Sequence, residues 1–128
     1  MKLQPQDLRL GITLYDSLRN KEIKLELKHF KELAISEEVF FERYKAIKLT
    51  EEKLLRFGFE DLEKHNYSKL YITIKKVFFP NDFIVIFNGM GVNPVLIPCN
   101  GQTNVKYIHQ LQNLYFFLTN EELKQSTN

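Results

Sequence analysis

An α+β fold, a small antiparallel sheet packed by a C-terminal helix, is what this sequence predicts, and three patterns predict it. Residues 70–74 and 83–87 are apolar, β-branched runs on either side of Pro80-Asn81-Asp82, a strong hairpin signal. Residues 8–15 and 22–28 alternate around a polar turn at residues 17–21, which makes a second hairpin. From about Asn104 to Leu118 the apolar spacing becomes helical. Tyr107, Ile108, Leu111, Leu114, Tyr115 and Leu118 share one broad arc at about 100° per residue.

Within the first strand, Gly11 predicts an irregularity. In its partner, Ile23, Leu25 and Leu27 fall on one face if the segment is extended. Ile23, Leu27, Phe30 and Ala34 also fit helical spacing, so a helix over residues 21–33 competes, with Leu25 against it. The strand is adopted, with a helical turn near residues 29–33. Ser36-Glu37-Glu38, followed by Val39, Phe40, Phe41 and Tyr44, predicts a short segment leading into Ile47-Lys48-Leu49. Thr50 then caps a helix, Glu51 and Glu52 lie at the positive end of its dipole, and Gly58 stops it; Leu54, Leu55 and Phe57 anchor it. Beyond the central hairpin, a Gly- and Asn-rich loop over residues 88–93 leads to residues 95–99, where Pro98 favours a sheet edge. Three antiparallel strands result, and the helical arc covers them. Thr119-Asn120-Glu121-Glu122 has the form of a capping box and predicts a short further turn, with a frayed tail after Leu123.

Composition bounds the rest. A chain of 128 residues, 44% apolar and 27% charged, is one domain's worth of sequence, and its eleven Phe, six Tyr and absent Trp predict a Phe-rich core. Residues 1–65 hold 13 Lys/Arg and 13 Asp/Glu against 5 and 3 in residues 66–128, so one domain with a charge-rich β/α first subregion and a core-supplying second one is expected. A net charge of +2 is far from the excess of a protein that binds nucleic acid through phosphates. The single cysteine, Cys99, excludes an internal disulfide and a cysteine zinc cage. Met1 to Asp7 form no apolar signal core and no segment approaches the ~20 apolar residues of a membrane span. A cytoplasmic protein, without membrane contact, is the expectation.

Motifs of catalysis are missing: no phosphate-cradling glycine loop, nucleophile elbow or paired-histidine metal helix is present. His29, His65 and His109 fall on different predicted elements with no second ligand at metal-like spacing, so no metal and no cofactor is expected. Cys99 and His109 are the one conceivable nucleophile pair, although a cysteine at the end of an apolar strand is ordinarily a packed thiol. The helical wheel instead puts His109, Gln112, Asn113 and Phe116 opposite the core arc, a polar face with an aromatic in it. Either the N-terminal subregion covers Phe116, or it anchors another protein or another copy of this chain. Lys75 and Lys76 beside Phe78 and Phe79 form a small basic and aromatic surface, a weak signal for direct RNA contact.

One further feature is a likeness. Val105-Lys106-Tyr107-Ile108-His109-Gln110-Leu111-Gln112-Asn113-Leu114-Tyr115-Phe116-Phe117-Leu118-Thr119-Asn120-Glu121-Glu122-Leu123 resembles the closing signature of a family of small proteins encoded by phages and prophages of Bacteroidetes. Asp7-Leu8-Arg9-Leu10-Gly11 and the stretch from Ile47 to Glu60 resemble it too, in the same order and at similar spacing. Ile12, Phe117 and Asn120 depart from the usual Asn, small residue and Gly. The resemblance implies an SH3-like, small-barrel start joined to a sheet-plus-helix end, a mobile-element origin and no enzyme chemistry. It further implies an anti-CRISPR inhibitor of the RNA-guided, RNA-cleaving nucleases of type VI-B. The expected partner is such a nuclease or its ribonucleoprotein in the host cytoplasm, met through Phe116, His109, Gln112 and Asn113 with Lys75 and Lys76 as a basic rim. An oligomeric sponge for a nucleotide immune signal and a virion or scaffold protein are the other readings.

Overall fold

The first hairpin pairs β1 (Thr13–Asp16) with β2 (Lys21–Lys24) in antiparallel register, Leu14 opposite Ile23. The computed structural model describes residues 3–57, 60–61, 70–75, 82–87, 95–99 and 105–125. Gly11, with φ of 92°, turns the chain into β1 and donates its N–H to Leu25 O at 2.9 Å. Only glycine takes that backbone angle without a Cβ clash. The hairpin closes over Ser17 to Asn20, where Asn20 takes the left-handed conformation (φ 53°) and its side chain accepts from the Tyr15 hydroxyl.

Residues 25–35 decide between the two sequence readings. The alternation holds only as far as Leu25, which is buried and exchanges backbone bonds with Gly11 and Ile12. Leu27, expected on the inner face of the strand, is 69% exposed and opens helix α1 (Leu27–Ile35). The switch has a local cause: His29 Nδ1 accepts from the Glu26 N–H at 2.8 Å, satisfying a donor at the helix start. A second correction follows. Residues 37–43 form helix α2 (Glu37–Arg43), with Ser36 Oγ accepting from Val39 N–H and Glu37 and Glu38 in the first turn. A two-residue strand β3 (Tyr44–Lys45) then pairs with the other side of β1, giving the sheet order β2-β1-β3. Leu3, Ile12, Leu14, Leu25, Phe40 and Tyr44 make the core of this unit, with Phe30, Leu33 and Phe41 packed against it.

The chain divides into two compact units, Met1–Lys48 with Tyr107–Leu114, and Leu49–Lys106 with Tyr115–Asn128. In the first, the returning segment joins through a bridge between Lys48 and Tyr107 and an Ile108 N–H to Ile47 O bond of 2.8 Å. The second contains α3 (Glu51–Arg56), capped as expected by Thr50, whose Oγ1 accepts from Lys53 N–H; Leu54 and Phe57 are buried but Leu55 is exposed. Gly58 lies outside the described residues. Its sheet runs β4-β5-β6-β7, where β4 (Glu60–Asp61) is parallel to β5 (Leu70–Lys75), and β5, β6 (Asp82–Phe87) and β7 (Val95–Cys99) form the antiparallel meander the sequence predicts. As Pro98 requires, β7 is an edge strand. The fold is α+β.

Helix α4 (Ile108–Thr119) is the last element described. Asn120, at φ of 59°, is a left-handed stop that donates to Phe116 O at 2.7 Å, so Thr119 closes this helix and does not cap another. Residues 120–125 carry no further helical turn. Among the described residues, no helix is long and apolar enough to cross a membrane.

Candidate interaction groove

The helix α2 lies where it does because β1 ends in an acid. Asp16 is almost fully buried, and its carboxylate takes two hydrogen bonds from Arg43, Nε to Oδ1 and Nη2 to Oδ2, both 2.9 Å. The same Oδ1 accepts from the N–H groups of Leu18 and Arg19 in the hairpin turn. Chiefly the Arg43 bond, helped by those amides and opposed by burial, holds the Asp16 carboxyl down at about 2. The same pairing pushes Arg43 up. Ser17 completes the junction, donating its N–H (2.9 Å) and hydroxyl (2.7 Å) to Arg43 O at the end of α2. A carbonyl that α2 leaves unpaired is thus satisfied by the hairpin.

Tyr44 is locked by the same network. Its hydroxyl donates to Glu32 Oε2 at 2.6 Å, its ring meets His29 edge-on with centroids 5.4 Å apart, and the Arg43 guanidinium lies 5.0 Å from the ring centre. Burial first, and the Glu32 carboxylate second, push the phenol up. The ring therefore stays neutral and rigid, with Phe40 tilted against it at 4.6 Å.

On this support opens a groove of about 1060 Å³ within the first unit. Leu3, Phe41, Tyr44, Ala46 and Tyr107 give it an apolar floor. Glu37, Glu38 and Glu42, all exposed on α2, form its wall. Among the described residues no cation pairs with these three carboxylates, and the one ammonium on the rim, Lys45 Nζ, is bonded to Phe41 O at 2.7 Å. The groove presents apolar surface beside uncompensated negative charge. A second, polar cavity of about 360 Å³ is lined by Asp16, Arg19, Lys21, Glu22, Glu26, Lys28, Glu32 and Arg43 among others, with acids and bases interleaved.

The residues expected to anchor a partner are placed otherwise. His109 and Gln112 are 0% and 1% exposed, so the face the helical wheel turns outward is an inward one at the start of α4. The reason is a backbone requirement. At Thr13 the sheet has run out of β3, and Gln112 takes the vacant position: its Oε1 accepts from Thr13 N–H at 2.7 Å and its Nε2 donates to Thr13 Oγ1 at 3.2 Å. Asn113 is half-buried between Arg9, whose Nε donates to Oδ1 at 3.0 Å, and Asp7 O, which accepts from Nδ2 at 3.0 Å. Phe116 is half-buried, and the exposed aromatic of the helix is Phe117, at 83%. Lys75 ends β5 opposite Asp82 in the strand register, and Lys76 lies outside the described residues. The structure thus gathers Gln112 and Asn113 as a clamp on residues 7–13 of the same chain, with His109 buried beside them in α4.

His109 has a different standing from its neighbours. Neither of its ring nitrogens bonds to a described residue, and its ring stacks with Tyr107, centroids 6.1 Å apart. Burial pulls its proton affinity below the ordinary imidazole value, with the Asp7 charge working the other way. Among the described residues no group of three or more His, Cys, Asp or Glu could hold a metal ion. The Cys99 side chain falls outside what is described.

The groove is not visible in the sequence because residues 36–45 predict a short connecting segment. Its signal is nonetheless there: Ser36 before two glutamates is a helix start, and Phe40 and Tyr44 stand one turn apart. No protein-family model matches the chain, and no curated protein or solved structure is significantly similar to it.

Proposed function

We propose that the chain acts by occupying the surface of another protein and makes or breaks no bond itself. The observation that carries this reading is the groove, whose apolar floor and acidic wall, unpaired among the described residues, stand on the rigid support of Asp16, Arg43 and Tyr44. A surface of that kind offers a desolvated centre with a polar rim, the anatomy of a protein interface. For the target, the resemblance of residues 105–123 to the phage and prophage family supports an anti-defence role. The protein would bind an RNA-guided CRISPR nuclease of type VI-B, or its ribonucleoprotein, and block engagement of guide or target RNA.

The acidic wall favours a protein over a nucleotide or RNA as occupant, because a phosphate entering the groove would meet three carboxylates. A nucleotide sponge draws less support from the polar cavity, where Glu22, Glu26 and Glu32 stand among the lysines and arginines. The test is capture of purified type VI-B nuclease by the immobilised chain, with and without RNase. Retention by the wild type and loss on Glu38→Lys/Glu42→Lys, two exposed positions that leave the core intact, is the expected result. Equal retention by both proteins would remove the groove from the account.

A further inference from the structure

The groove also defines the chemistry of what enters it. We infer that its occupant is a basic segment of the partner protein, with two cationic side chains about 6 Å apart flanking a bulky apolar one. This inference rests on the reading of the groove as a protein-binding surface and adds the nature of the bound segment.

The spacing comes from α2. Glu38 and Glu42 stand one turn apart on its exposed side, about 6 Å along the axis at 1.5 Å per residue. An extended strand presents cations at alternate residues about 6.6 Å apart, and a helix presents them four residues apart at about the same distance. Either form of segment matches the wall. The floor sets the other requirement, since Phe41, Ala46 and Tyr107 keep part of their surface open, beside the buried Leu3 and Tyr44. An aliphatic or aromatic side chain laid on them removes apolar area from water on both partners. The volume, about 1060 Å³, lies at the top of the range of small-ligand pockets and suits a stretch of several residues. Charge complementarity selects the sign: with no cation among the described residues paired to Glu37, Glu38 or Glu42 and Lys45 held on Phe41 O, an acidic or phosphorylated segment is repelled and a basic one is drawn in.

The probe is a fluorescein-labelled octapeptide alternating lysine with phenylalanine or leucine, titrated with the full chain at low salt and followed by anisotropy. Saturable binding is expected, weakened by raised salt and reduced about tenfold or more by Glu38→Lys/Glu42→Lys. The glutamate-for-lysine peptide, the lysine–serine peptide and a labelled oligoadenylate should not bind. Circular dichroism of the variant keeps loss of binding separate from loss of fold. No binding of the lysine peptide, equal binding to the variant, or binding of the oligoadenylate in competition with the peptide would each overturn the inference. Nuclease capture distinguishes the two claims. A chain that retains the nuclease but ignores the peptide defeats the basic-segment inference alone, whereas one that binds the peptide but no nuclease defeats the choice of target alone.

Discussion

Asp16 is the residue on which most of the candidate site depends, because one buried carboxylate ties the hairpin turn, the end of α2 and Arg43 together. Removing it leaves Arg43 only its longer contact with Glu32 (3.4 Å), and Asp16→Ala should cost about 3 kcal/mol in urea unfolding at neutral pH, the low end for a buried pair since Arg43 is partly solvated. A loss below about 1 kcal/mol would show that the pair contributes little. Its acid dependence has a definite sign. The folded carboxyl titrates at about 2 against an ordinary 3.8, so the unfolded chain binds the proton more readily and this stabilisation is lost as pH falls through that window. His109 acts at higher pH. Its folded value is lowered, so the unfolded state again takes the proton first, and stability should decline as pH falls below the ordinary 6.5. His109→Leu should flatten that decline when melting is compared at pH 7.5 and pH 5; an unchanged difference between the two would clear His109 of the effect. Neither role was legible in the sequence, where Asp16 is one polar residue before a turn and His109 falls on the wrong side of a helical wheel.

At the scale of elements, legibility followed the locality of the cause. The Ser17–Asn20 turn, the Thr50 cap, the central meander and the edge position of β7 all rest on residues adjacent in sequence, and all are found as the sequence predicts. The start of α1 was not legible, because the alternation through Leu25 continues in sequence to Leu27 while the His29 capping bond ends it in space. For α4 the period and the arc hold at Ile108 and Leu111, which are buried, but the opposite face is buried as well at His109 and Gln112. A wheel ranks residues by hydrophobicity, and Gln112 is interior because a strand amide needs it. Gln112→Ala should therefore destabilise by about 1–3 kcal/mol, as for a buried donor left unmet, measured by thermal or urea melts. Gln112→Glu, which keeps the acceptor but brings a charge inside, should not rescue it. Ser36→Ala should cost about 1 kcal/mol through the α2 cap and lower affinity for the groove's occupant in step, since the acidic wall is carried on that helix.

Across the whole molecule, charge and topology carry different messages. The overall balance of +2 argues against binding nucleic acid through phosphates, and it conceals the patch of like charge on α2. Binding through that surface should weaken as salt is raised from about 50 to 500 mM, a dependence absent in Glu38→Lys/Glu42→Lys. Topology bears on how the protein is made. The Thr13 amide bonds to a side chain 99 residues further on, and the unit that carries the groove closes only when Tyr107–Leu114 returns to it. On the ribosome, the N-terminal sheet must wait with that donor open until Gln112 has been made. Emergence of Tyr107–Leu114, not emergence of the first hairpin, sets the moment at which the binding unit is complete.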